Sequence, residues 1–342
     1  MSLPPVLLVV ARRLLSALPT LAGVLVITFL ITRALPGDPA AFFAGPAATK
    51  EAVEQIRAQL GLDRSLLVQF GVYVRALARG DFGQALTTGQ PVLTELIQRL
   101  PASLELTGCG LALALLVGLP LGIVAAIRPG SWLDQLCRLV ATLGVSLPSF
   151  FLGLLLIYVF YFRLGWAPAP LGRLDAFAFA PDKVTGFLLV DTLLARDFVT
   201  FRAAAAQLVL PSITLGLFAL APLARMTRAA MLEALASDYV KAARAAGLSA
   251  SRILFVYAFR NALLPVVTTL GMVFSYLLGI NVLVEKVFAW PGIGSFSFEA
   301  LLAGDYSSVQ GFILTMGLLF VLLNLSVDLL YGFIDPRVKR TA

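Results

Sequence analysis

The stretch that decides the fold reads Asp238-Tyr239-Val240-Lys241-Ala242-Ala243-Arg244-Ala245-Ala246-Gly247, continues through Ser249 and Arg252, and closes on Asn261-Ala262-Leu263-Leu264-Pro265. It separates two hydrophobic runs and can neither cross a bilayer nor build a soluble domain. Tyr239, Ala242, Ala243 and Ala246 recur at the spacing of one helical face. Asp238 stands at the start of that helix and Arg244 near its end, as the helix dipole favours. Gly247 is placed to end it in the left-handed conformation that glycine adopts at little cost. Ser249 then caps a second short helix carrying Ile253, Leu254, Tyr257 and Ala258. The expectation is a compact helix–turn–helix of about nine residues per arm, roughly 14 Å each. Its wet face is basic, and it is built as a docking knuckle.

The rest of the chain is a membrane protein. Of its 342 residues, 59% are apolar and only 13% charged, against roughly 45–50% and 25% in soluble domains. Long uncharged runs predict six spans, at about 14–35, 103–127, 136–164, 208–226, 262–283 and 309–333. Residues 36–102 are read as an extracytoplasmic segment with a short helix from Thr49 to Leu60 stopped by Gly61. Residues 165–207 form a second outer segment, in which Phe187–Leu194 is too short to cross. Residues 227–261 are the loop that holds the knuckle.

Gly110, Ala114, Gly118, Gly122 and Ala126 recur every four residues along the second span, a stripe that lets another helix approach closely. Pro148 is expected to kink the third span, Pro211 to sit harmlessly in the first turn of the fourth, and Pro222 to bend it. The short loops on the N-terminal side of the six-span layout carry the bias in Lys and Arg, with 13 basic against 5 acidic residues on that side. Both termini and the knuckle are therefore expected in the cytoplasm.

Several chemistries are excluded. The chain has no histidine, so histidine catalysis and histidine metal ligation are absent. Cys109 and Cys137 do not form a metal or disulfide pattern. No phosphate loop and no nucleophile elbow occurs. No catalytic residue, no metal site and no nucleic-acid partner is expected. Ionisable residues deep within the predicted spans are nearly absent, which argues against a self-contained proton-coupled transporter or a channel. A bundle with no engine and an exposed knuckle points to an engine supplied by another protein. Pro148, Ser149 and Asn281 are the candidates for lining a pathway.

With these residues in view, Asp238–Pro265 resembles the cytoplasmic signature loop of binding-protein-dependent ABC importer permeases, in which Glu-Ala-Ala, three residues and Gly are followed by a hydrophobic-Pro end. Lys241 stands where Glu is usual, and Pro265 comes 18 residues after Gly247. Both departures are similar to the dipeptide, oligopeptide and nickel branch. So are Leu35-Pro36-Gly37-Asp38-Pro39, Leu60-Gly61-Leu62-Asp63, Gly89-Gln90-Pro91-Val92, Arg99-Leu100-Pro101-Ala102-Ser103, Arg260-Asn261-Ala262-Leu263-Leu264-Pro265 and Asp335-Pro336-Arg337. The motifs run nearly the whole chain.

The resemblance implies an all-α polytopic membrane protein with the six transmembrane helices of the type I ABC importer permease fold, in the inner membrane. It implies a second homologous permease subunit as heterodimer partner, two ATPase subunits and an extracytoplasmic solute-binding protein, all embedded in or facing membrane lipid. ATP is then used by the partners, and this chain binds no cofactor. By position, Asp238, Tyr239, Lys241, Ala242, Ala243, Arg244 and Gly247 would dock on the ATPase. The implied cargo is a dipeptide, an oligopeptide or a similar small solute.

Overall fold

The computed structural model describes residues 5–34, 40, 44–45, 48–59, 61–175 and 177–334. The motifs at 35–39 and 335–337, and Leu60, lie outside the described residues. The described chain is helical, with one isolated bridge, Gln84 to Pro91, closing the turn at Gly89. In chain order the helices are α1 (Pro5–Ala34), α2 (Lys50–Gln59), α3 (Leu66–Leu77), α4 (Val92–Ile127), α5 (Trp132–Ser146), α6 (Ser149–Arg163), α7 (Leu188–Leu194), α8 (Phe198–Ala236), α9 (Asp238–Ala245), α10 (Ala250–Val287), α11 (Ile293–Leu302) and α12 (Tyr306–Ile334). Among the described residues α4, α8, α10 and α12 are long and apolar enough to cross a membrane, and α1 and α6 supply shorter apolar stretches, Leu15–Ile31 and Ser149–Arg163. α3 and α11 are shorter apolar helices as well.

The bundle is organised on α4 against α8. The small-residue stripe of α4 is buried as expected, because it is the seam. At Gly110 an added Cβ would lie 2.8 Å from the Leu215 Cβ, and at Gly122 it would lie 2.7 Å from both the Ala224 carbonyl oxygen and the Thr227 Cβ. Gly216 answers from α8, where a Cβ would meet Leu113 at 2.6 Å. Lipid tails are as apolar as Leu side chains, so close approach and dispersion hold such a pair together rather than hydrophobic exclusion.

The helices differ from the expected spans in ways that tertiary packing explains. The second span starts at Val92, not 103, and runs through Pro101. Its extra turns persist because Val92 and Leu96 are buried against Ile293 and Phe296. The third span is broken rather than kinked. Leu147 and Pro148 are extended, with ψ of 137° and 142°, since a residue before proline is driven out of the helical region. The fourth span reaches back to Phe198, so Pro211 is internal and residues 198–207 leave the outer segment. Asp197 caps this helix by accepting from the Thr200 amide at 3.0 Å. The second arm of the knuckle is not a separate helix. It enters α10 through a π-helical stretch, Ile253–Phe259, and the helix passes Pro265 without stopping.

Other local readings hold. Thr49 accepts from the Ala52 amide at 3.3 Å and caps α2, and Gly61 follows α2 with φ of +64°. Arg33, at the end of α1, is held by its neighbours. Its Nε donates to Gln69 Oε1 at 3.0 Å and its guanidinium lies 5.2 Å from the Phe29 ring centre.

Gly122→Leu is expected to part α4 from α8. Overpacking of a close seam costs about 1–3 kcal/mol or more. A lower melting temperature of the detergent-extracted protein, with Gly108→Leu (open space) close to wild type, is the check.

Candidate functional site

α9 is eight residues long, with Asp238 in its first turn and Arg244 in its last. Val240 and Ala243, three apart, face inward and are buried with Ile253, while Leu248 and Tyr257 pack around them. The chain then reverses at Gly247, φ +74°, where the Gly247 amide donates to the Arg244 carbonyl and the Leu248 amide to the Ala243 carbonyl. Ser249 Oγ accepts from the Arg252 amide at 3.4 Å, as expected for the cap of the second arm. The helical face read from the sequence is divided. Ala243 turns inward beside Val240, whereas Tyr239, Ala242 and Ala246 are exposed. They form a narrow apolar strip flanked by Asp238, Lys241 and Arg244, which are also exposed. Lys241 and Asp238 pair at 2.9 Å, but side chains so exposed hold one another weakly. The strip is free surface on a rigid support.

Next to it on the same end of the bundle, Asp134 of α5 is completely buried. Arg228 of α8 grips it with two bonds, Nε to Oδ1 at 2.5 Å and one terminal nitrogen to Oδ2 at 3.1 Å. The Gly130 amide at 2.9 Å and Arg138 at 3.0 Å complete the site. The bond from Arg228, then that from the Gly130 amide, hold the Asp134 carboxyl well below the usual carboxylate range. This bidentate lock fixes the α4–α5 turn to α8. It was not singled out from the sequence, because 94 residues separate its two halves.

The opposite end carries a second buried carboxylate. Glu285 is fully buried near the end of α10. Ser103 Oγ donates to its Oε1 at 2.5 Å, Asn281 Nδ2 to the same oxygen at 2.8 Å, and the Ser295 amide to Oε2 at 2.7 Å. Ser103 Oγ in turn accepts from the Ile293 amide at 2.9 Å, and Trp290 Nε1 donates to the Ala102 carbonyl at 2.9 Å. Any side chain at Gly292 would overlap the carboxylate. Thus Arg99–Ser103, read from the sequence as a family motif, and the Trp290–Gly294 turn meet around one glutamate. Glu105, two residues beyond Ser103, makes a comparable tie. It accepts from Arg173 at 2.6 Å and from the Leu189 amide at 2.8 Å, which seats the 165–197 segment on α4. Buried ionisable groups are therefore present at the ends of the expected spans rather than deep within them, and Glu285 and Glu105 are each fixed between elements. In that segment burial pushes the Asp191 carboxyl up, yet bonds from Thr185 and Gly186 outweigh it and leave the group below its ordinary range.

The candidate pathway residues do not come together. Asn281 and Ser149 are buried, and Pro148 sits on the surface at the break before α6. None lines the groove of about 710 Å³ that opens between α8 and α10. That groove is walled by Phe218, Arg225, Met226, Met272 and Tyr276, among others. Arg225 apart, these walls are mostly apolar, and an apolar side chain inside a span carries no local mark of which side it faces. Among the described residues no group of three or more Cys, Asp and Glu could hold a metal ion.

Comparison with known proteins places two family matches end to end. Residues 6–107 match the N-terminal part of the binding-protein-dependent transport system membrane component, and residues 118–340 match the binding-protein-dependent transport system inner membrane component. The chain is 48% identical over 319 residues to the probable D,D-dipeptide transport system permease protein DdpB of Escherichia coli (strain K12), covering 93% of this chain and 94% of that one. It is 44% identical to the di/tripeptide transport system permease protein DppB of Pseudomonas aeruginosa (strain UCBPP-PA14), covering 96% and 98%. It is 40% identical to the dipeptide transport system permease protein DppB of Alkalihalophilus pseudofirmus, with the same coverage.

Glu285→Ala is expected to leave the Ser103 hydroxyl, the Asn281 amide and the Ser295 amide buried without an acceptor, at about 1–3 kcal/mol for each orphaned group. Glu285→Gln keeps the shape and forfeits less. A graded fall in melting temperature, Ala below Gln below wild type, checks the assignment; equal melting of all three refutes it.

Proposed function

The chain belongs to the family of binding-protein-dependent transport system inner membrane components, and from that footing we propose that it carries short peptides across the membrane on energy delivered by separate ATPase subunits. It is a permease subunit of an ABC importer and a multi-pass membrane protein. The peptide cargo rests on relatives whose names specify dipeptides, D,D-dipeptides and di/tripeptides. Nothing in the fold separates these from one another, and a solute-binding protein on the far side would make the choice.

The partners follow from surfaces. A second, homologous permease completes the pathway, and two ATPases bind the knuckles of the two permeases. The knuckle end faces the cytoplasm, as the basic short loops favour. ATP is bound by the partners, and this chain contributes no catalytic group.

The observation that carries the coupling is the union of α9 with α10. The exposed strip Tyr239–Ala242–Ala246 sits on a helix whose inner face is buried against the first turns of α10. From Ala250 to Val287 that helix has 38 residues, roughly 57 Å at 1.5 Å per residue. A push on α9 therefore arrives at the other end of the bundle, where Glu285 ties α10 to α4. Met226, Met272 and Tyr276 in the α8–α10 groove suit a pathway for cargo of varied side chains, because Met adapts its shape and polarisable sulfur contacts many groups. The buried carboxylates Asp134, Glu285 and Glu105 are each held by hydrogen bonds between elements, which favours structural ties over the proton relay of a self-contained transporter.

Ala242→Arg, on the exposed face, is expected to leave the chain folded and inserted while abolishing ATPase co-purification and peptide uptake. Gly247→Asp should also insert. At φ +74° a Cβ costs about 1–2 kcal/mol of local strain although it meets no neighbour, so the turn shifts and uptake becomes uncoupled from ATP hydrolysis. Normal uptake in both variants would remove the docking assignment.

A further inference from the structure

A second polar cavity, of about 410 Å³, lies at the end of the bundle away from the knuckle. It sits among the last turn of α1, the turn before α3, α3 itself, the loop after it, and the first turns of α12. Its charged lining residues are Arg33, Arg64 and Asp81, joined by Gln69 and Tyr73. Arg33 spends its Nε on Gln69 and makes no ion pair among the described residues. Arg64 offers its backbone carbonyl to Gln69, while its guanidinium has no partner among the described residues. The Tyr73 hydroxyl is buried and likewise unpartnered. Among the described residues neither guanidinium forms an ion pair, and with the Tyr73 hydroxyl they leave N–H and O–H donors to spare around the cavity, Arg64 and Asp81 at its exposed side and Arg33 and Tyr73 half-buried. Asp81 adds one carboxylate, whose Oδ1 accepts from the Gly83 amide at 2.9 Å.

The rim of this cavity is apolar in the direction of the membrane. Val72 lines the cavity and also belongs to the outward face of α3, where Leu67 is 85% exposed and Val68, Val72 and Val74 are exposed too. α3 has no buried residue. Below Arg33 on α1, Val26, Ile27, Leu30 and Ile31 are exposed and lead into the span. Polar donors at the top of an exposed apolar strip match a headgroup above acyl chains.

We propose that this cavity holds the headgroup of a phospholipid, with the phosphate taken by Arg33, Arg64 and the Tyr73 hydroxyl, and a primary ammonium taken by Asp81. The charge pattern commits the ligand to a phosphoethanolamine headgroup. A glycerol headgroup offers Asp81 hydroxyl donors but no compensating positive charge, and a choline headgroup has the charge but no N–H to donate. The phosphate contact is charge-assisted and planar, which suits guanidinium. The acyl chains lie along α1 and α3. The site depends on no particular cargo and stands apart from the α8–α10 groove.

The test is native mass spectrometry of the complete transporter, purified in mild detergent and exchanged into nanodiscs containing equal parts of phosphatidylethanolamine, phosphatidylglycerol and phosphatidylcholine. The wild type should retain phosphatidylethanolamine in preference. Arg64→Gln, which removes no side-chain hydrogen bond or ion pair among the described residues, should lower that occupancy about tenfold, the scale of one charge-assisted bond. Asp81→Asn should keep lipid but lose the preference for ethanolamine over glycerol. Soluble phosphoethanolamine should not displace the lipid, since it lacks the chains. Equal retention of all three lipids by the wild type, unchanged occupancy in Arg64→Gln, or displacement by a free dipeptide would each overturn the proposal.

Discussion

A carboxylate in the interior of a membrane bundle has no water to turn to, and Glu285 is bound by that constraint. Its two oxygens must be met by donors fixed in place, and the donors come from three separate pieces of chain: Ser103 on α4, Asn281 on α10 itself, and the Ser295 amide at the start of α11. Ser103 is occupied in turn by the Ile293 amide. Moving any one of these pieces alone leaves a buried polar group unpaired, which is costly in low dielectric. The pieces therefore move together or remain together. α10 is thus tied to α4 at one end and carries the knuckle at the other, a lever whose far end is held by hydrogen bonds rather than by shape.

The lever works against a fixed frame. α4 and α8 approach through Gly and Ala, and dispersion across that seam holds them without help from water. Near the knuckle the Asp134–Arg228 pair adds a bidentate tie between α5 and α8. At the other end Glu105 and Arg173 hold the segment before α8 onto α4. Each tie joins elements distant in sequence, and each lies toward an end of the bundle. The middle is left to small residues, which permit sliding at lower cost than a buried ion pair does.

Features set by local chemistry were readable before the fold was known. Gly247 adopts a positive φ because the chain must reverse after α9, and Ser249 and Thr49 cap helices because their oxygens meet orphan amides. The stripe from Gly110 to Ala126 was legible because its period is that of a helix. What misled was proline and the outermost turns. Pro148 breaks its helix where a kink was expected, and Pro211 sits deep in a helix where a first turn was expected, because the helix boundary around each is decided by neighbours. Val92 and Leu96 extend α4 only because Ile293 and Phe296 cover them.

By itself the sequence determined the class of molecule, its long apolar helices and the position of the knuckle, since these depend on composition, period and charge along the chain. It also carried the family, through short motifs in a set order. The tertiary structure decided which face of α9 is free, turning Ala243 inward with Val240 and leaving Tyr239, Ala242 and Ala246 outward. It also decided that Asn281 bonds to Glu285, and that Arg99–Ser103 and Trp290–Gly294 close on that glutamate. The reason is physical. A hydrogen bond between residues 182 apart, as between Ser103 and Glu285, has no local signature, because its energy exists only once packing has removed the water that would otherwise compete for both groups.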